Sequence, residues 1–162
     1  MKKLALLILL FAASFSTLKA EESPSAYASD TYVYATLGGI APLLMFPIAG
    51  LGTRMQSGHN GFDIGVQGTG IGSFYILKAN ATYLFYPKPN LQKQFYYGIG
   101  AGIERMKKEK TNFSPEFVVG KQFTNDTGGR RFFEAQITPY IVDNHGHGTF
   151  IPGVIIRYGI GF

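Results

Sequence analysis

Residues Pro152–Phe162, "PGVIIRYGIGF", decide how the rest of the chain is read. One arginine sits in the middle of an almost wholly apolar run. As a helix the stretch is poor, because three of its eleven residues are glycine and no polar face emerges. With a period of two it separates cleanly. Val154, Ile156, Tyr158, Ile160 and Phe162 fall on one face, and Gly153, Ile155, Arg157, Gly159 and Gly161 on the other. One face is apolar throughout; the other is mostly small, with one charge. What each face touches is the question that the remaining sequence answers.

The same alternation recurs in segments of about ten residues separated by turn signals. Eight are counted. The first, Thr31–Ile40 "TYVYATLGGI", is ambiguous in its facing. In the second, "IAGLGTRMQ", Ala49, Leu51, Thr53 and Met55 oppose Ile48, Gly50, Gly52 and Arg54. After the short turn "SGHNG", Phe62, Ile64 and Val66 alternate with Asp63, Gly65 and Gln67. The fourth sets Tyr75, Leu77, Ala79, Ala81, Tyr83 and Phe85 against Lys78, Asn80 and Thr82. Beyond "PKPN", Phe95, Tyr97, Ile99, Ala101 and Ile103 oppose Tyr96, Gly98, Gly100, Gly102 and Glu104. The sixth puts Phe113, Phe117, Val119 and Phe123 against Ser114, Glu116, Val118 and Gln122. In the seventh, Phe133, Ala135, Ile137 and Ile141 oppose Glu134, Gln136, Thr138 and Tyr140, and "DNHGHG" leads to the eighth.

The chain begins with Lys2 and Lys3, an apolar run from Leu4 to Phe11, and small or polar residues up to Ala20. That is the layout of a secretory signal peptide, residues 1–20. Residues 21–30, "EESPSAYASD", read as a flexible lead-in, which leaves 31–162 as one domain. Loss of the leader removes three lysines and lowers the formal net charge from +5 to +2, so a nucleic-acid partner is not expected. No cysteine is present, which excludes disulfides and thiolate metal sites.

A soluble sandwich also alternates, but its polar faces carry more lysine, glutamate and serine than these glycine-rich ones. Here the apolar faces bear aromatics toward the segment ends: Tyr75, Phe85, Phe95, Phe113, Phe123 and Phe133. Aromatics at both edges of an apolar band mark the interfaces of a bilayer, and about ten residues is the length of a tilted transmembrane strand. The uncharged stretch Leu37–Leu51 is too short for a membrane helix and is interrupted by Pro42 and Pro47.

With its signal-peptide layout, eight alternating segments and the terminus "VIIRYGIGF", the chain resembles the small eight-stranded bacterial outer-membrane β-barrels of the OmpA/OmpX type. The likeness is one of pattern over residues 21–162, and the lack of tryptophan leaves any aromatic girdle to tyrosine and phenylalanine. It implies an all-β, antiparallel up-and-down transmembrane barrel in the outer membrane of a Gram-negative-type bacterium. Both termini and the turns "SGHNG", "YPKPN" and "TNDTGG" would then be periplasmic. The outer loops would lie near "APLLMFP", "GTGIGSF", "RMKKEKTN" and "DNHGHG". The resemblance also implies that Val154, Ile156, Tyr158, Ile160 and Phe162 form the C-terminal signature read by the outer-membrane assembly machinery. Membrane lipid and lipopolysaccharide are the other implied partners.

On that reading Arg157 points inward, where a charge needs a partner. A two-residue turn at His145-Gly146 puts Glu134 directly across from it, and one at Gly58-His59 pairs Arg54 with Asp63. Lys78, Glu104 and Glu116 share the inward parity, so the expected lumen holds a nearly balanced ion-pair network that plugs it. No catalytic residue, metal or cofactor is assigned. His145, His147 and Asp143 read as ordinary loop residues. Two alternatives stay open: a narrow low-conductance channel, and a lipid-A-modifying enzyme built at the rim from His145, His147, Asp143, Ser73 or Ser114. Against the enzyme, the histidine-x-serine pattern of the barrel deacylases is absent. The reading is of a non-enzymatic envelope protein.

Overall fold

The computed structural model describes residues 30–41, 47–71, 74–89, 92–106, 111–125, 128–144 and 147–162. The expected signal peptide, the lead-in up to residue 29, and the tips of several expected loops lie outside the described residues. Among those residues are Ser73, His145 and the 107–110 part of "RMKKEKTN".

The alternating segments become eight strands: β1 (Asp30–Ala41), β2 (Pro47–Ser57), β3 (Asn60–Ile71), β4 (Phe74–Phe85), β5 (Lys93–Met106), β6 (Asn112–Thr124), β7 (Arg130–Asn144) and β8 (His147–Gly161). Each pairs antiparallel with its neighbour in sequence, and β8 closes on β1 to make a barrel. The facing of β1 is resolved as Tyr32, Tyr34 and Thr36 inward, Val33 and Leu37 outward.

Two expected outer loops prove to be mostly strand. Strands β3 and β4 extend to Ile71 and from Phe74, absorbing most of "GTGIGSF". The β7–β8 register continues from Glu134↔Arg157 up to Asn144↔His147, so most of "DNHGHG" belongs to a hairpin. The β6–β7 ladder, by contrast, stops at Phe117↔Ile137. Two residues beyond stand Pro115 and Pro139, neither of which has an N–H to donate, and Pro139 is itself opposite Pro152 on β8.

Register fixes the barrel's size. Successive partners from Ala41 run through Val154, Ile137, Phe117, Ile99, Tyr83, Phe62 and Met55 back to Thr31, ten residues earlier on β1. Eight strands with that stagger give a tilt of about 41° and a radius of about 8 Å. About ten residues at that tilt rise ~25 Å, the height of a barrel's apolar band.

The usual distribution of polarity is inverted. Leu37, Phe95 and Phe113 are 72, 63 and 74% exposed on the outer wall, whereas Arg54, Lys78, Glu116 and Glu134 are each at most 1% exposed. The polar face of every strand is the interior of the cylinder.

Candidate functional site

Paired charges gather in the interior, in tiers along the barrel axis. Nearest the termini lies a layer of amides. Gln56 donates to Gln94 Oε1 at 2.9 Å, and the Tyr32 hydroxyl donates to Gln122 Oε1 at 2.7 Å.

Above it is the arginine tier. The β2–β3 turn is the two-residue Gly58-His59, with Gly58 at φ 54°, a conformation glycine adopts freely. That turn aligns Arg54 with Asp63, and Arg54 Nε donates to Asp63 Oδ2 at 2.7 Å. Arg54 Nη2 also crosses the lumen to Glu134 Oε2 on β7, at 2.9 Å. Glu134 faces Arg157 in register and accepts from its Nε at 2.6 Å and from its Nη2. The Tyr34 hydroxyl donates to Asp63 Oδ1 and the Tyr96 hydroxyl to Glu134 Oε2, both at 2.8 Å. Two cations and two carboxylates thus neutralise each other, with hydrogen bonds to the carboxylate lone pairs as a buried charge requires.

Three rings enclose Arg54, whose guanidinium carbon lies 4.3, 4.8 and 5.6 Å from the centroids of Phe132, Tyr96 and Tyr34. Glycine makes room for each ring. Tyr34, Tyr96 and Phe132 stand directly across from Gly52, Gly120 and Gly159, and a Cβ at any of these glycines would collide with the ring opposite. Much of the inward glycine is therefore the floor on which the rings lie, rather than empty space.

The third tier centres on Glu116. Lys78 Nζ lies 3.0 Å from its Oε2 and donates to Thr138 Oγ1 at 2.9 Å. Asn80, Thr82 and Gln136 also donate to Glu116. Glu104 is buried directly across from Lys78 in register. Gln67 joins the two charged tiers, donating to Gln136 Oε1 at 3.0 Å and accepting from Arg157 Nη1 at 3.4 Å.

All seven expected interior residues are buried: Arg54, Asp63, Lys78, Glu104, Glu116, Glu134 and Arg157. Four of them join through Glu134 and Arg54; Lys78 pairs with Glu116, and Glu104 stands across from Lys78 in register. Sequence reading missed the cross-barrel contact of Arg54 with Glu134, and the roles of Tyr34, Tyr96, Phe132 and Gln67. The signal on offer was parity, since each shares a strand face with a charged residue or with glycine. Ser114 is buried inside the barrel and shares no described contact with a histidine. The Asp143 and His147 side chains lie outside the described part. Among the described residues no three or more His, Cys, Asp or Glu side chains form a metal-holding group.

The wall presents apolar side chains along the five C-terminal alternating positions, Val154 to Phe162, and the interior is closed off from it by strand pairing on every side. The fold is that of the small eight-stranded outer-membrane β-barrels. The structure of Neisserial surface protein A superimposes with a TM-score of 0.62 at 9% identity, covering 83% of this chain and 97% of that one. The outer membrane enzyme PagL does so with a TM-score of 0.52 at 13% identity, over 81% of this chain and 98% of that one. A de novo designed transmembrane β-barrel gives 0.52 at 13% identity, over 85% and 97%. At these identities the likeness is one of fold. No protein-family model matches the chain, and no curated protein matches its sequence.

Proposed function

We propose that the protein is an integral barrel of the bacterial outer membrane, non-enzymatic, with a structural or surface-interaction role and a lumen plugged by its interior network. The inverted polarity carries this reading. An outer wall of Leu, Ile, Val, Phe and Tyr around a charged interior is stable only where the surroundings are acyl chains. A plugged lumen is supported by the ~8 Å barrel radius, which side chains suffice to fill, and by the rings and ion pairs that cross it. A non-enzymatic role is supported by the chemistry of the arginine tier, where each charged group satisfies another.

The remaining parts follow from the same reading. The signal peptide delivers the chain across the inner membrane. The alternating Val154–Phe162 terminus is what the outer-membrane assembly machinery reads. Bilayer lipid and lipopolysaccharide are the surroundings.

The class is tested by fractionating membranes and comparing heated with unheated samples on a gel. The protein is expected in the outer-membrane fraction with a compact, heat-modifiable band, and recovery as a soluble monomer without detergent would refute the reading. In planar bilayers the purified barrel is expected to give no discrete conductance steps; such steps would favour the narrow channel instead. Lipid-A acylation is expected to be the same with and without the protein, which would reject the enzymatic alternative; a changed acylation pattern would favour it.

A further inference from the structure

Among the described residues the outer wall is almost free of charge, and its few charges are concentrated. Among strand residues with described side chains, the outward charges are Lys93, Arg105, Lys121 and Arg131, with no side-chain carboxylate among them. Arg105 lies toward the rim opposite the termini, apart from the other three. The other three lie together on β5, β6 and β7 at the end that carries the termini.

Register makes them a cluster. Lys93, Phe123, Arg131 and Ile160 occupy one row across the wall, and Phe95, Lys121, Phe133 and Tyr158 the next. Lys121 is therefore a diagonal neighbour of both Lys93 and Arg131, within reach of long side chains. At the barrel's tilt, Lys121 and Arg131 differ in depth by about 2 Å, and Lys93 lies about 6–8 Å nearer the terminal end than either. The Lys121 ammonium sits 4.8 Å from the Phe95 ring centroid and 5.4 Å from that of Phe123. Both rings stand on strand positions nearer that end than Lys121 itself. Its stem thus runs along the wall while its charge reaches toward the interface. None of the three cations has an ion-pair partner among the described residues.

We propose that Lys93, Lys121 and Arg131 form a binding site on the outer wall for the phosphodiester headgroup of an anionic phospholipid in the leaflet at the terminal end. This rests on the reading that the barrel spans a membrane. Three cations without a neighbouring side-chain carboxylate favour a headgroup with net negative charge over a zwitterionic one, whose ammonium they repel. The flanking Phe95, Phe123 and Phe133 give the first part of its acyl chains an apolar wall. A second copy of the chain is a poor occupant, because the described outer wall offers no side-chain carboxylate to meet the cluster.

The test uses the protein in detergent with phosphatidylglycerol and phosphatidylcholine of identical acyl chains at equal concentration, retained lipid being counted by native mass spectrometry. Phosphatidylglycerol is expected to be retained preferentially. Lys121→Gln should lower the preference about fivefold, and the triple change Lys93→Gln, Lys121→Gln, Arg131→Gln should abolish it, while Arg105→Gln leaves it unchanged. Equal retention of the two lipids by the unaltered protein, or an undiminished preference in the triple variant, overturns the site. Displacement of the lipid by an equal concentration of inorganic phosphate overturns the lipid assignment as well. Heat-modifiable migration is followed in parallel. Its loss in the unaltered protein would remove the membrane reading itself, whereas its retention with no lipid preference removes only the site.

Discussion

Replacing Glu134 with glutamine keeps the side chain's shape and removes one charge from the arginine tier. In the intact barrel Glu134 accepts from Arg54 Nη2 at 2.9 Å, from Arg157 Nε at 2.6 Å and from the Tyr96 hydroxyl at 2.8 Å. Glutamine leaves two arginines facing one carboxylate, Asp63, and can turn only its single carbonyl oxygen toward the four donor groups of Arg54, Arg157 and Tyr96. Both arginines are at most 3% exposed, so solvent offers little screening. Removing one partner of a buried pair costs about 3–5 kcal/mol. At a slope of about 2 kcal/mol per molar, the urea midpoint should fall on the order of 2 M. Because the chain has no tryptophan, the fraction folded is read from the heat-modifiable band rather than from indole fluorescence. Adding Arg157→Gln restores neutrality, so the double variant should cost less than the two single changes together by about 1 kcal/mol or more. An unchanged midpoint for Glu134→Gln, or strict additivity in the cycle, would refute the paired-charge account.

Two further changes probe the rest of the interior. Gly120→Leu drives a side chain into the Tyr96 ring, displacing it from Arg54 and Glu134. A loss of about 1–3 kcal/mol is expected in the same urea assay, and Tyr96→Ala in that background should recover part of it. Lys78→Met leaves Glu116 without its cation, with Glu104 on the neighbouring strand. A loss of about 3–5 kcal/mol is expected, and Glu116→Gln in addition should return a measurable part.

Much of this molecule is legible one hairpin at a time. A period of two sorts each strand's side chains onto two faces, and a two-residue turn sets which residues oppose each other. Arg54 therefore meets Asp63, and Glu134 meets Arg157, from information contained within about 25 consecutive residues. Strand ends are less legible. The β7–β8 hairpin and the β3–β4 connection run further than their glycine content suggests, because ladder pairing outweighs the weak strand propensity of single glycines.

Sequence alone thus determined the class, the inward and outward faces of every strand but β1, and the ion pairs Arg54–Asp63 and Glu134–Arg157 between neighbouring strands, since all of these depend on local alternation and turn length. Tertiary structure decided which strands face each other across the lumen. Arg54 reaches Glu134, 80 residues away, and Arg157 reaches Gln67, 90 away, only because closure occurs with a stagger of ten residues. That stagger is a property of the whole ring of registers, so no single segment encodes it. It also packs the three rings around Arg54, whereas Lys93, Lys121 and Arg131 are gathered by the registers of neighbouring strands.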